Sequence, residues 1–337
     1  MAISKIPSAG FQDNVKFRNI IINGDMSIAQ RGTSASSITS ATYATVDRWR
    51  TVVTTLGTWT QSQSTDVPSN QGFSSSLKMD CTTANASPST SSLLAIQQKF
   101  EGQNLQYLKK GTSSAESLTL SFWVKSNKTG TYIAEFFDND NARQISQAYT
   151  ISSANTWEKK TLTYAGDTSG ALGNDNGNSL LVQFWLGAGS DYSSGTLSTT
   201  WTANTNTDRA VGQVNLADST SNEWYITGVQ LEAGTTASDF EFLPYDVNLE
   251  KCKRYLFITD ARYYLNGQGG TNTSIANLVH VHQPELRANP TVTRSTLSNG
   301  SFTSQSTNTK LMYRGYVSNS TASNSYFDSG FKWDAEL

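Results

Sequence analysis

The sequence has few of the residues that cross-link small proteins. Its 337 residues include two cysteines, Cys81 and Cys252, and two histidines. Two cysteines in a chain of this length do not make a disulfide framework, so we expect both to be reduced. No apolar run approaches the roughly 18 residues that a membrane-spanning helix needs. The sequence therefore predicts no insertion into a membrane.

Charge is also scarce. Charged residues make up 15% of the chain, with 25 basic and 27 acidic residues and a formal net charge of −2. Because there is no basic run or patch, we expect no nucleic-acid partner. The first residues lack the apolar segment of a signal peptide, since Lys5, Pro7 and Asp13 interrupt them. The sequence therefore predicts synthesis in a cytoplasm.

Signals of catalysis are weak. There is no nucleophile elbow, no phosphate-binding loop and no Cys–His pair. A histidine-based triad would have to use His280 or His282. Two carboxylates about 5–10 Å apart would suffice for a glycosidase, but no motif selects a pair among the 27 acidic residues. We predict that the protein is not an enzyme and requires no cofactor.

Short strands dominate the rest of the pattern. Leu118 to Lys125 gives the clearest alternation, with Leu118, Leu120, Phe122 and Val124 on one face. We expect this strand to pair with residues 132–137 through a turn at 127–130. Residues 92–108 are predicted to form two strands that meet at Gly102. Many short strands separated by Gly, Ser and Asn predict an all-β jelly-roll sandwich.

The stretch from Glu223 to Leu256 is predicted to contain a strand, a helix and the boundary between two domains. It begins as a strand in which Trp224 and Ile226 are predicted to face one way, and Tyr225, Val229 and Leu231 the other. A short helix capped by Asp246 is expected to follow. A composition change near Asn248 predicts a boundary between the jelly roll, residues 19–247, and a smaller antiparallel β domain with its linker helix, residues 248–337. The strands expected there are 262–266, 275–282, 291–296, 311–317 and 326–331.

Several segments of the chain resemble a family of tailed-phage structural proteins. The resemblance is carried by ITGVQLEAG and FEFLPYDVNLEKCKRYL, and it recurs in RNIIINGDMSIAQRGT, LTLSFWVKSNKTGTY, ELRANPTVT and YFDSGFKWDAEL. It thus spans nearly the whole chain. Leu243 stands where the family pattern has Arg, and Leu256 where it has a second Tyr. Family members are tail-fibre or related virion-surface proteins with a jelly roll like a carbohydrate-binding module and a small β-rich tip.

The resemblance implies a virion protein that attaches by its N-terminus and recognises glycans on the host surface. Residues 1–18 would then be an arm that docks onto other virion proteins, although a frayed terminus is the ordinary alternative. The docking candidates are Ile3, Ile6, Phe11, Val15 and Phe17. A tail fibre or receptor-binding protein is the leading interpretation. A capsid-surface fibre or decoration protein and a polysaccharide-degrading tailspike are the alternatives.

We expect a homotrimer, because the tip is small for independent stability and one side of the linker helix is apolar. The interface candidates are Leu249, Cys252, Tyr255 and Leu256. For sugar binding, an aromatic ring is needed on which the apolar face of a sugar stacks. Trp123 and Trp185 would form one platform if their strands shared a sheet, and Tyr192 and Trp201 are alternatives. Packing under loops or against a neighbouring subunit is the competing interpretation for Trp123 and Trp185.

Two metal sites are weaker predictions. Residues 138–141 and 174–176 are rich in Asp and Asn and offer oxygen ligands suited to calcium, though such segments are more often turns. His280 and His282 would lie on one face of a strand. A trimer with that face on its axis would multiply the two ligands enough to hold a transition metal. Outward, solvated histidines are the ordinary outcome.

Overall fold

A computed structural model describes residues 17–259, 263–265, 274–281, 284–294, 297–298, 301–319, 325–327 and 331–337. Its first part is a two-layer antiparallel sandwich. The strands are β1 (Ser34–Ile38), β2 (Thr42–Tyr43), β3 (Arg50–Thr54), β4 (Thr58–Ser64), β5 (Ser76–Thr83), β6 (Leu93–Glu101), β7 (Leu118–Ser126), β8 (Gly130–Asp138), β9 (Arg143–Ile151), β10 (Glu158–Tyr164), β11 (Asn178–Ala188), β12 (Thr202–Ala203) and β13 (Glu223–Ala233). A single helical turn, α1 (Ser190–Ser193), lies between β11 and β12.

The two sheets enclose one continuous core. The first sheet has the order β1-β4-β5-β13-β7-β10, and the second has the order β12-β9-β8-β11-β6-β3-β2. Leu120, Phe122 and Val124 of β7 all belong to the buried core, which confirms the predicted alternation. Apolar residues on the inner faces of the longer strands thus fill the space between the layers.

A bulge in β13 overturns part of the predicted strand. Trp224, Ile226, Val229 and Leu231 all lie in the same core, whereas strict alternation placed the last two on the opposite face. The register against β7 shifts between Thr227 and Gln230. Gly228 supplies the left-handed backbone that the shift requires, with φ of 61°. The extra residue returns the next apolar pair to the core.

Two further predictions of local structure are wrong. β7 pairs with β13 and β10, while β8 lies in the second sheet, so the turn at 127–130 crosses between layers instead of closing a hairpin. Residues 92–108 form one strand, and then two 3-10 turns at Gly102–Asn104 and Gln106–Leu108. Leu105 and Leu108 anchor these turns in the core, which places their polar residues on the surface.

The second part of the chain begins with a helix and continues as short antiparallel sheets. Its elements are α2 (Tyr245–Lys253), β14 (Leu256–Ile258), β15 (Tyr263–Leu265), β16 (Ser274–Val281), β17 (Thr291–Arg294), β18 (Leu297–Ser298), β19 (Ser301–Asn308), β20 (Met312–Asn319), β21 (Ser325–Phe327) and β22 (Phe331–Asp334). The sheet orders are β14-β22-β17, β15-β21-β18 and β16-β20-β19. These elements confirm the predicted all-β class, with a jelly roll, a short helix and a smaller antiparallel unit. Pro244, not Asp246, is the residue at the N-cap of α2.

Buried ion pairs join the end of the chain to the sandwich. We call this set the junction network: Arg31, Asp47, Arg48, Asp334 and Glu336. Arg48 pairs with Glu336, and an Arg31 nitrogen lies 3.1 Å from an Asp334 oxygen. The side chains of Arg48 and Glu336 are 1% and 4% exposed, and Glu336 also lies 3.4 Å from Arg31, so these buried ions depend on one another for the charges that replace water.

The predicted boundary residue also contacts the sandwich. Asn248 is buried, and its side-chain amide donates to Asp25 at 3.1 Å and to Ser27 at 3.1 Å. Helix α2 is therefore seated on the segment that leads into the jelly roll.

Candidate functional site

Trp123 and Trp185 do not form one platform. Trp123 belongs to β7 in the first sheet, and Trp185 belongs to β11 in the second. The two residues are therefore on different layers, and the predicted pair is wrong.

Trp185 is the centre of a closed cluster on the outer side of the second sheet. We call Glu135, Phe137, Gln183, Trp185 and Arg209 the Glu135 cluster. The Trp185 indole donates to Glu135 at 2.8 Å, and the guanidinium of Arg209 donates to the same carboxylate at 2.7 and 3.2 Å. The carbon of that guanidinium lies 4.8 Å from the centre of the Phe137 ring. Both Trp185 and Glu135 are 0% exposed, so Trp185 has no free face for a sugar.

The two alternative aromatic residues are also used within the chain. Tyr192 is half-buried, and its ring centre lies 5.4 Å from that of Trp185. The Trp201 indole donates to the carbonyl of Ala165 at 2.7 Å, and the ammonium of Lys110 lies 4.8 Å from its ring centre. Both rings therefore pack against other groups of the chain, and a role for them in sugar binding stays a prediction.

Trp123 is different, because it is partly exposed on the outer side of the first sheet between Lys159 and Thr227. Within the described residues, its indole N–H has no hydrogen-bond partner. Trp123 thus keeps one face and one donor for a ligand, and its role in sugar binding stays a prediction.

The predicted trimer residues are largely covered by the chain itself. Cys252, Tyr255 and Leu256 are 0%, 2% and 0% exposed, and Leu249 is partly buried. Burial raises the pKa of the Cys252 thiol well above its usual value, in keeping with a reduced, inert side chain. The apolar side of α2 meets the sandwich, so the first three residues are not free to face a partner subunit. This corrects the predicted interface, and the trimer itself stays a prediction.

The remaining predicted residues fall at or beyond the edge of the described chain. Ile3, Ile6, Phe11, Val15 and His282 lie outside the described residues, and of His280 the structure describes only its backbone in β16. Asp138 accepts the backbone N–H of Asp140 at 2.9 Å and pairs with Lys110. No three His, Cys, Asp or Glu side chains among the described residues converge as metal ligands. Metal binding at either place stays a prediction.

A groove of about 450 Å³ lies between the end of the sandwich and α2. This volume falls within the range of roughly 300–1,000 Å³ that is common for ligand sites. Two of its residues, Phe17 and Tyr107, are large and exposed at 57% and 52%. Its lining consists of Phe17, Asn19, Ile20, Ile22, Gln103, Asn104, Tyr107, Lys251, Arg254 and Tyr255. We refer to this feature as the groove.

The first wall of the groove is residues 17–22, which are fixed between the two sheets. Glu241 accepts the backbone N–H groups of Phe17 at 2.5 Å and Asn19 at 3.0 Å. The N–H of Ile20 donates to Leu231 of β13 at 2.9 Å. Phe17 has a φ of 69°, and the carboxylate of Glu241 holds this left-handed turn. The ring of Phe17 is thereby presented at the surface.

The second wall consists of the two 3-10 turns after β6. Leu105 and Leu108 are buried, so the residues between and before them face outward. The side-chain amide of Gln106 donates to carbonyls of Gly102 and Gly173 at 2.9 and 3.0 Å, which locks the turn. Tyr107 is presented to solvent with no hydrogen bond to a described residue.

The third wall is the last turn of α2, which contributes Lys251 and Arg254. Arg254 donates to both oxygens of Glu101 at 2.9 and 2.7 Å. Burial raises the pKa of Glu101, but hydrogen bonds from Arg254 and Tyr255 outweigh it and hold that pKa below its usual range. The positive charge of Arg254 is therefore balanced by Glu101.

Lys251 has no such neutralising partner. Its ammonium forms no ion pair with any described residue and lies 4.8 Å from the centre of the Phe17 ring. Burial lowers the pKa of Lys251, and the more distant Glu241 opposes the shift. No Asp or Glu lines the groove, so its cationic side chains face the space where a ligand would lie.

The groove escaped prediction from sequence because its walls come from three distant segments. Phe17 was singled out only as an apolar residue of the arm, and Tyr107 lies in a segment predicted to be a strand. The available signal was composition: Gln103, Asn104 and Tyr107 are polar or amphipathic residues between buried leucines. That pattern indicates a surface turn, but nothing local indicates which segments it meets.

Comparisons with known proteins find similarity to solved structures only. No family model matches the chain, and no curated protein matches it. Among solved structures, the enzymatically active domain of a tailspike protein of bacteriophage CBA120 is similar with a TM-score of 0.33 and 15% identity, over 64% of this chain and 21% of that one. A carbohydrate-binding module of family CBM4 gives a TM-score of 0.32 and 13% identity over 63% of this chain and 97% of that one.

A third similar structure is the xylan-binding CBM22 domain from Paenibacillus barcinonensis, with a TM-score of 0.28 and 14% identity over 60% of this chain and 94% of that one. At these values the likeness concerns the fold alone. No described helix has the length and apolar character to cross a bilayer. The case for any function has to come from this chain's own residues.

Proposed function

We propose that the protein is a glycan-recognising component of a phage virion surface, placed on the tail as a fibre or receptor-binding protein. Two features support this proposal. The sequence resembles virion-surface proteins over nearly its whole length, and the chain carries a groove with exposed aromatic and amide side chains. The groove is the observation on which glycan recognition rests.

The groove has the chemistry that a sugar requires. The exposed ring of Tyr107 offers a flat surface for the C–H face of a sugar, and its hydroxyl is a donor and an acceptor. The exposed side-chain amides of Gln103 and Asn104 can bond to hydroxyl groups of the sugar. Since Leu105 and Leu108 fix the backbone on either side of Tyr107, the ring is presented with little ordering cost on binding.

Binding of host-surface polysaccharide to the Tyr107→Ala variant tests the site. Loss of one stacking ring should weaken binding by about 1 kcal/mol, or roughly fivefold. Tyr245→Ala is the matched control, because Tyr245 is also exposed, at 63%, and does not line the groove. Equal losses in the two variants, or none in either, would remove the groove as the glycan site.

The rest of the proposal concerns position and assembly. We propose a homotrimer joined to other virion proteins by residues 1–18, and a role in binding rather than in hydrolysis. Antibody labelling of purified particles in the electron microscope should place the protein at the tail, and labelling of the capsid would favour the decoration role. Release of reducing ends from host polysaccharide would instead identify a depolymerising tailspike.

A further inference from the structure

We infer that the groove selects anionic saccharides, in which an acidic substituent on the sugar meets Lys251. This inference rests on the proposed glycan-binding function and adds the class of glycan to it.

Lys251 is the residue that carries the inference. Its side chain is partly buried, yet no described carboxylate lies within ion-pair distance of its ammonium. Removing an ammonium from water is costly unless an opposite charge or several acceptors replace the water. Its contact with the ring of Phe17, at 4.8 Å, compensates for only part of this loss. An anion in the groove would supply the missing partner.

The second cation of the groove supports the same class of ligand. Arg254 uses Nε and one terminal nitrogen for Glu101, and its side chain also lines the groove. The groove is therefore lined by the ammonium of Lys251 and the guanidinium of Arg254, together with the exposed amides of Gln103 and Asn104. A neutral sugar satisfies the amides, whereas a sugar that carries a carboxylate, sulfate or phosphate satisfies the amides and the cations.

Several other lysines of the described chain have carboxylate partners of their own. Lys110 pairs with Asp138 and Asp167, and Lys253, on the same helix as Lys251, lies 2.6 Å from Glu250. Lys253 is therefore a matched control in the same helix for a change of charge at Lys251.

The experiment is calorimetric titration of the full chain with a panel of acidic oligosaccharides, which bear carboxylate, sulfate or phosphate groups. Each is paired with a neutral counterpart that has its acid reduced, esterified or removed. We expect one or more acidic members to bind, with a loss of about tenfold or more in the neutral counterpart. Lys251→Gln should lose a similar factor for the acidic member alone. Lys253→Gln should match the wild type, and Lys251→Arg should restore binding.

The pH dependence gives an independent readout. Because burial lowers the pKa of Lys251, affinity for the acidic member should fall at a lower pH in the wild type than in Lys251→Arg, whose guanidinium stays charged. Equal binding of acidic and neutral members, or acidic binding that survives Lys251→Gln, would overturn the inference and leave glycan recognition standing. If the protein bound neither the acidic nor the neutral oligosaccharides, and did not bind host polysaccharide, the proposed function and the inference would both be overturned.

Discussion

The Glu135 cluster and the groove contain the same kinds of side chain, but they differ in whether those side chains have partners. Glu135, Trp185 and Arg209 bond to one another, and the first two are fully buried. Phe17, Tyr107 and Lys251 line an open groove, and the hydroxyl of Tyr107 and the ammonium of Lys251 form no hydrogen bond with a described residue. Aromatic and charged residues thus stabilise the fold where their polar atoms are paired with other residues of the chain. They are available to a ligand where those polar atoms have no partner among the described residues.

The largest effect should come from removing the ring at the centre of the closed cluster. Trp185→Ala leaves a cavity and removes one of the donors to the buried Glu135, so we expect a loss of about 3–5 kcal/mol in the free energy of unfolding. Urea unfolding measures it. Trp123→Ala serves as the comparison, because Trp123 is partly exposed and its indole has no described partner. If both variants lost the same stability, burial in the Glu135 cluster would not distinguish Trp185 from a partly exposed tryptophan, and the comparison would be contradicted.

A second closed site is the junction network, and Arg48→Met tests it. This change leaves the buried carboxylate of Glu336 with only Arg31, at 3.4 Å, as an ion-pair partner, which should cost at most about 3–5 kcal/mol. Arg50→Met is the control, since Arg50 is partly exposed and has no ion pair among the described residues. Thermal unfolding followed by tryptophan fluorescence would report the loss. An Arg48 variant as stable as the control would mean that the network does not hold the chain end to the sandwich.

The junction network also predicts a pH dependence. Burial raises the pKa of Asp47 from 3.8 to about 6, so the folded state binds this proton more tightly than the unfolded state does. Asp47 therefore destabilises the fold above about pH 6, and this cost is relieved as the pH falls towards about 4, with an upper bound of about 3 kcal/mol.

Asp47→Asn tests that sign, because asparagine does not titrate. The stability of the wild type relative to this variant should rise between about pH 7.5 and about pH 5, as measured by urea unfolding. A relative stability that fell over this interval would show that the pKa of Asp47 is lowered, not raised.

The smallest effect on stability should come from the open site. Tyr107 is half-exposed and makes no hydrogen bond to a described residue, so Tyr107→Ala should change the free energy of unfolding by less than about 1 kcal/mol. The same variant is expected to bind glycan about fivefold more weakly. A loss of several kcal/mol in stability would instead place Tyr107 among the residues that hold the turn together.

The sequence predicts what depends on periodicity and misses what depends on register or on distant segments. The spacing of Leu118, Leu120 and Phe122 indicated a strand and its buried face, and the strand count indicated the sandwich. The bulge at Gly228 reversed the faces of β13, because one inserted residue changes the parity of all that follow. Pairing of β7 with β13, about a hundred residues later in the chain, leaves no trace in the local pattern.

The candidate site shows the same limit. Aromatic residues were recognised as candidates, but burial separates Trp185 from Tyr107, and burial depends on the whole fold. Similarly, Lys251 and Lys253 are indistinguishable in the sequence of α2. Only their surroundings make Lys253 one half of an ion pair and Lys251 a cation in a groove.

The most direct test of the central claim is a crystal structure of the protein with an oligosaccharide from its host surface. The account predicts sugar density in the groove, with one ring stacked on Tyr107 and hydroxyls bonded to Gln103 or Asn104. Density over Trp123 on the outer side of the first sheet, with the groove holding only solvent, would contradict it.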